Sequence, residues 1–184
     1  MPLSTTDANS LLTAELKATA YTGPATTYLA LSTAGQVTDG VTNATTTVTS
    51  ATASFGAQDV GATISGGTIP AGTTISSVTN STTVVISAAA TGSATGVTLT
   101  IGGAEVSGGS YARQAVTWGT AAASSLANSA ALSFTSMPAT TVRTYVIFDA
   151  LTAGTDRWDG YSTITPVLAG QTYSVAIGAL TATL

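Results

Sequence analysis

"GTIPAGTTISSVTNSTTVVISAAATG", residues Gly67 to Gly92, contains no charged side chain, and the charge-free window around it runs from Val60 to Ala104. The texture of this stretch is that of β-structure. In "SSVTNSTTVVIS" two β-branched runs flank Asn80-Ser81, the pattern of a hairpin closed by a tight turn. "IPAG" (Ile69–Gly72) puts proline second and glycine fourth, as a type I turn prefers. Downstream, Val97, Leu99 and Ile101 alternate with Thr98 and Thr100, which predicts a half-buried strand with a hydroxyl-bearing outer face. Threonine is β-branched and favours strands, and its hydroxyl hydrates an outer face without charge. A sheet clad in this way stays soluble while nearly uncharged.

Working outward, the flanks have the same two-residue period. Leu29 and Leu31 alternate with Tyr28, Ala30 and Ser32; Leu132 and Phe134 share one face of "ALSFTS"; Tyr173, Val175 and Ile177 share one face of "TYSVAI". "VRTYVIFDA" is apolar on both faces and reads as a central strand covered on each side. One helix is legible, over about residues 5–20. Ser4 and Asp7 suggest a loose capping box, Leu12 and Leu16 share a face with Ala8 and Ala20, and Thr22-Gly23-Pro24 stops the run. The fold class is therefore mainly β, an antiparallel sandwich with one N-terminal helix.

Composition adds a boundary. From Gln36 to Gly103 there are two charges, Asp39 and Asp59, and one aromatic ring, Phe55, whereas tyrosine, tryptophan and charge return on both sides. Residues 37–104 accordingly read as a small β-sandwich module inserted into a host domain formed by residues 1–36 and 105–184. Edge strands are usually defended by lysine or proline. The single lysine, Lys17, lies on the helix, so the edges are expected to be paired with something.

Charge excludes several functions. Eight acidic and four basic residues give a net charge of −4 and a pI near 4.2. Lys17, Arg113, Arg143 and Arg157, scattered along an acidic chain, cannot form a phosphate-neutralising patch, so no nucleic-acid partner is expected. Mean hydropathy is +0.40, yet no uninterrupted apolar run approaches the roughly 18 residues of a membrane span, and no membrane role is expected. "MPLSTTDANS" has no basic segment leading into an apolar one, so no secretory signal is expected and synthesis in a cytoplasm is the default.

Catalytic chemistry is scarcely available. Without histidine or cysteine, the Ser-His-Asp and Cys-His arrangements and the usual zinc sites fall away. A Ser-Lys dyad would need Lys17, which a helix surface explains better. Asp149, Asp156, Asp159 and Glu105 are the candidates for a carboxylate pair, but "DALTAGTDRWDG" reads first as a hairpin loop whose acids are solvated or pair with Arg157. Asp156 and Asp159 could hold calcium, although their spacing matches no EF-hand and Arg157 sits between them. "SGGS" (Ser107–Ser110) is a turn, lacking the lysine and helix start of a phosphate loop. Neither catalysis, cofactor nor metal is expected. Trp118 reads as core. Trp158 and Tyr161 are candidates for an aromatic contact with sugar or protein, with packing on the sandwich or at a subunit contact the stronger reading.

Four segments resemble a family of small tailed-phage virion proteins described as tail-fibre-like, minor tail or head-decoration proteins. They are "NSLLTAELKATAYTGPATTYLALSTA" (Asn9–Ala34), "EVSGGSYARQAVTWGTA" (Glu105–Ala121), "IFDALTAGT" (Ile147–Thr155) and "VLAGQTYSVAIGALTATL" (Val167–Leu184). Ser54–Gly103 resembles a β-rich module that recurs in structural proteins of actinobacterial phages. The resemblance implies an Ig-like β-sandwich displayed on a virion, without catalytic residues. It leaves head or tail open; because the chain is short and lacks the long repeats or coiled-coil heptads of a fibre shaft, the first expectation is a capsid decoration or minor capsid protein bound to the major capsid protein, and the alternative a minor tail or tail-fibre protein bound to tail proteins. The alternative carries with it binding of a host receptor or surface glycan. A closed homo-oligomer is expected, with a trimer favoured. Leu12 and Leu16 on the helix, and Trp158, Tyr161, Asp156 and Asp159 around the loop, are the expected contact residues.

Overall fold

The computed structural model describes residues 5–17, 20 and 22–183. The chain begins with α1 (Thr5–Lys17) and β1 (Tyr28–Ser32). It continues through β2 (Gly35–Asn43), β3 (Thr47–Thr49), β4 (Ile64–Ser65), β5 (Ile75–Asn80), β6 (Thr83–Ile86) and β7 (Ser93–Ile101). After these come β8 (Gln114–Ala115), β9 (Ser125–Ala127), β10 (Leu132–Phe134) and β11 (Thr140–Phe148). The last three strands are β12 (Asp156–Val167), β13 (Tyr173–Val175) and β14 (Thr181–Thr183). All strand pairs are antiparallel, and the fold is mainly β with one α-helix, as the sequence pattern predicts.

β2 to β7 make one sheet of six strands in the order β4-β7-β2-β3-β6-β5. Its buried face gathers Val37, Val48, Phe55, Ile64, Ile75, Val84, Ile86, Leu99 and Ile101. The alternation read from "VTLTI" is present: Val97, Leu99 and Ile101 are buried and the threonines between them are exposed. The hairpin at Asn80-Ser81 also forms between β5 and β6, and the Asn80 carboxamide oxygen accepts the Thr82 backbone N–H. The proline turn falls one residue later than "IPAG" suggests. Thr73 donates to the Pro70 carbonyl, and Gly72 sits at φ +77 in third position, the left-handed slot of a type II turn rather than a type I.

The other strands form a four-stranded sheet, β12-β11-β1-β8, and two short pairs, β10-β13 and β14-β9. Their core holds Leu29, Leu31, Val116, Phe134, Met137, Val142, Ile147 and Val175, with Trp118, Tyr145 and Trp158 packed against it. β11 is central, between β12 and β1. β1 is buried on both faces beyond Tyr28 and is paired on both edges, with β11 and β8. Two sequence expectations shift here. Ile177 does not continue the Tyr173–Val175 alternation: β13 ends at Val175 and Ile177 is exposed. α1 ends at Lys17, so Ala20 lies outside the helix, and the expected cap at Ser4 falls outside the described residues.

The chain leaves β1 at Thr33 and returns beside it, Thr33 N–H donating to the Ala104 carbonyl at 3.1 Å and Val106 N–H to the Leu31 carbonyl at 2.8 Å. The two crossing strands pass so closely that a Cβ on Gly103 would lie 2.4 Å from the Ala34 nitrogen. Only glycine fits there without moving backbone.

Candidate functional site

In a chain this poor in charge, the ionic groups mark where segments are joined. Arg143, on β11, is fully buried and meets Asp59 at the end of a single 3-10 turn (Ala57–Asp59). The contact is bidentate, Nη1 to Oδ1 at 2.7 Å and Nη2 to Oδ2 at 2.9 Å. The remaining donors reach the carbonyls of Thr33 and Ala53. Thr141 adds a hydrogen bond to the Ser54 carbonyl, and Gln58 donates to Thr141. β12 loses register opposite Arg143, between the pairs Val142–Thr165 and Thr144–Tyr161. The irregularity turns Ile164 onto the core of the six-stranded sheet. A buried guanidinium with its hydrogen bonds satisfied thus closes the seam between the two cores.

Arg113 makes the second joint. Nε and Nη2 hold Glu105 at 2.9 and 2.7 Å, and Nη1 donates to the carbonyls of Ala150 and Ala153. Its guanidinium lies 3.6 Å from the centroid of the Phe148 ring, a cation–π stack. Tyr111 donates to Glu105 and accepts the Leu31 N–H. Burial pushes the Tyr111 hydroxyl above the usual tyrosine range. The "EVSGGSYAR" segment therefore clamps the 149–155 loop against β1, and its glycines serve turns.

Arg157 makes the third. It donates to Asp149 at 2.8 Å and to Asp7, on the first turn of α1, at 2.5 Å. Asp7 is fully buried, which ties the helix to the start of β12. A further bulge between the pairs Ile147–Trp158 and Phe148–Asp156 leaves Arg157 as the extra residue, so neighbouring side chains need not alternate strictly. Asp149 is held below the usual carboxylate range by the Thr155 N–H and then by Arg157.

Around this joint the six expected contact residues divide. Asp156 and Asp159 are exposed on β12, outside the ion pairs formed among the described residues. Asp156 is pushed up by desolvation and by the neighbouring charges of Asp159 and Asp7. Trp158 is half-buried against the core and lines an apolar cavity of about 360 Å³ with Leu11, Pro24, Trp118, Leu126 and Ala182. Its Nε1–H is buried and has no acceptor among the described residues. Trp118 does have one, donating to Thr27. The backbone of Tyr161 pairs with Thr144, while its side chain lies outside what is described. Leu12 and Leu16 point away from the body, 58% and 78% exposed. They occupy the opposite side of α1 from Asp7 and Leu11.

Asp156 and Asp159 face solvent on β12. Among the described residues, no group of three or more acidic side chains could hold a metal ion, and no helix is long and apolar enough to cross a membrane. The pairing of Arg157 with Asp149 was legible from their shared hairpin. Arg143–Asp59 and Arg113–Glu105 were not, although a lone arginine in an apolar strand signals that an acid must come to it.

The architecture is that of a structural β-protein joined by a few buried ionic clasps. Residues 76–183 match the family described as podophage GP4 fiber I protein gp80. The match takes in more than half of the chain, and the chain belongs to this family. It is accordingly a phage structural protein of the tail-fibre-like kind, a component of the virion. No curated protein matches it.

Proposed function

We propose that the chain is a non-enzymatic building element of a phage tail fibre or fibre-like minor tail component. The family match carries this reading, because the family's description is that of a fibre protein. It favours the tail over the capsid surface, the placement expected first from a short chain without fibre-shaft repeats. In this reading residues 1–36 and 105–184 form the host domain that attaches to neighbouring virion proteins. Residues 37–104 form an inserted module held away from the attachment face. The adjacency of Thr33 and Ala104, and the separate hydrophobic core of the six-stranded sheet, support that division. Contacts with neighbouring virion proteins are assigned to Leu12, Leu16, Asp156, Asp159, Trp158 and Tyr161. Immunogold labelling of intact particles, with an antibody raised against the purified chain, tests the placement. Label on the tail is expected; label spread over the capsid lattice would restore the decoration reading.

A further inference from the structure

Two cross-strand pairs from different sheets line one cavity. Leu126 pairs with Ala182 between β9 and β14, and Ile147 pairs with Trp158 between β11 and β12. All four border the same apolar space of about 360 Å³, together with Trp118 and with Leu11 of α1. Ala182 is the small member of the set, and its short side chain leaves room that a leucine would occupy. Protein interiors hold few voids larger than a water molecule. An apolar cavity of about 150 Å³ takes up benzene, so this one has space for roughly two fused rings.

The polar groups of the lining are nearly all spoken for. Trp118 donates its indole N–H to the Thr27 hydroxyl at 2.8 Å. Trp158 Nε1–H is buried without an acceptor, alone in this among the buried side-chain polar atoms of the described residues. Folded proteins pair almost every buried donor, and an acceptor brought from outside the chain accounts for one left over.

We infer that this cavity binds a small, neutral, largely apolar molecule whose hydrogen-bond acceptor takes the Trp158 indole N–H. A carbonyl, hydroxyl or ether oxygen on an aromatic or alicyclic body has that chemistry. A carboxylate is disfavoured, because Asp156 and Asp159 lie on either side of Trp158 in β12 and repel a second negative charge. A peptide segment suits the cavity less well. Every residue of it would carry in a backbone donor and acceptor that need partners once buried, and the walls offer one free donor.

The test uses the full-length chain labelled with a nitrogen isotope that makes indole N–H groups visible by NMR. Its two tryptophans give one signal each, which Trp158→Phe assigns. Titration with acetylnaphthalene, a neutral ketone, is expected to move the Trp158 signal downfield and to saturate. Naphthalene lacks the acceptor; it should bind about fivefold more weakly, the scale of one hydrogen bond, and should not produce the downfield shift. Naphthoate should also bind more weakly than the ketone. Trp158→Phe keeps an aromatic wall but removes the donor, and should lower the affinity for the ketone to that for naphthalene. Ala182→Leu should abolish binding of both, with circular dichroism confirming that each variant is folded. Absence of saturable ketone binding to the folded wild type would overturn the inference. So would a ketone that binds Trp158→Phe as tightly as wild type. A capped leucine dipeptide that binds more tightly than the ketone would assign the cavity to a polypeptide and overturn it as well.

Discussion

The six-stranded sheet and the rest of the chain solve the same problem with different chemistry. The stretch from Gln36 to Gly103 holds two charges, both aspartates, one satisfied within it and the other by an arginine of β11. Asp39, in a β2 bulge, accepts hydrogen bonds from the Ser50 hydroxyl and from Thr52. Asp59 receives Arg143. The rest of that sheet is mainly aliphatic on its buried face and mainly hydroxyl-bearing on the other. The rest of the chain instead pins its loops and helix with Arg113 and Arg157, and packs aromatic rings such as Tyr111 on Phe134 at 5.8 Å. A regular sheet satisfies its backbone by strand pairing alone. Irregular connections such as 149–155 and the approach from α1 cannot, and a guanidinium supplies several donors in one rigid group.

The difference can be broken at the seam first. Asp59→Ala leaves the Arg143 charge buried without its partner and is expected to cost about 3–5 kcal/mol. Differential scanning calorimetry should show the melting temperature falling by on the order of 10 °C, at about 2–4 °C per kcal/mol for a chain of this size. Replacing both partners with apolar residues, Arg143→Met with Asp59→Leu, should recover most of the loss. If the double variant is as unstable as Asp59→Ala, the seam depends on the carbonyl contacts rather than on the ion pair.

Next in size, Leu99→Ala empties the centre of the six-stranded sheet and should cost about 3 kcal/mol. Hydrogen exchange should show protection lost mainly over residues 35–101. Equal loss in β11 and β12 would mean that the two cores unfold as one. Arg157→Ala strips the buried Asp7 of a charged hydrogen-bond partner and is expected to cost about 2 kcal/mol. Exchange should rise chiefly in the amides of α1, leaving β11 protected.

The smallest effect belongs to Asp39. Partial desolvation pushes its carboxyl up, but the hydrogen bonds from Ser50 and Thr52 outweigh it and hold it below the model-peptide value of 3.8. A depressed folded value means stability that is present above the unfolded value and lost as pH falls through the folded one. Asp39→Ala should therefore cost about 1 kcal/mol at neutral pH, with the gap to wild type closing below about pH 4. Thermal melts across that range check the sign; a gap that widens in acid would contradict it.

Much of the fold is legible in the sequence. The alternation of Val97, Leu99 and Ile101 with threonine, the Asn80-Ser81 hairpin and the two-faced apolarity of "VRTYVIFDA" each specify a local state, because side-chain period and turn chemistry act over a few residues. The candidate site was less legible. Trp158 was visible as an aromatic beside a loop, but a bulge at Arg157 sets which way the neighbouring side chains face, and that bulge arises from pairing with β11. Leu12 and Leu16 were seen to share a helix face; which face the body covers depends on Asp7 finding Arg157.

By itself the sequence determined that this is a hydroxyl-clad β-protein without histidine or cysteine chemistry, since those properties reside in single residues and their near neighbours. Tertiary structure alone decided that Arg143 meets Asp59, that Thr33 lies against Ala104 and that the leucine ridge of α1 faces outward. Those outcomes rest on contacts between residues tens of positions apart, where burial must find a partner for every charge it takes out of water.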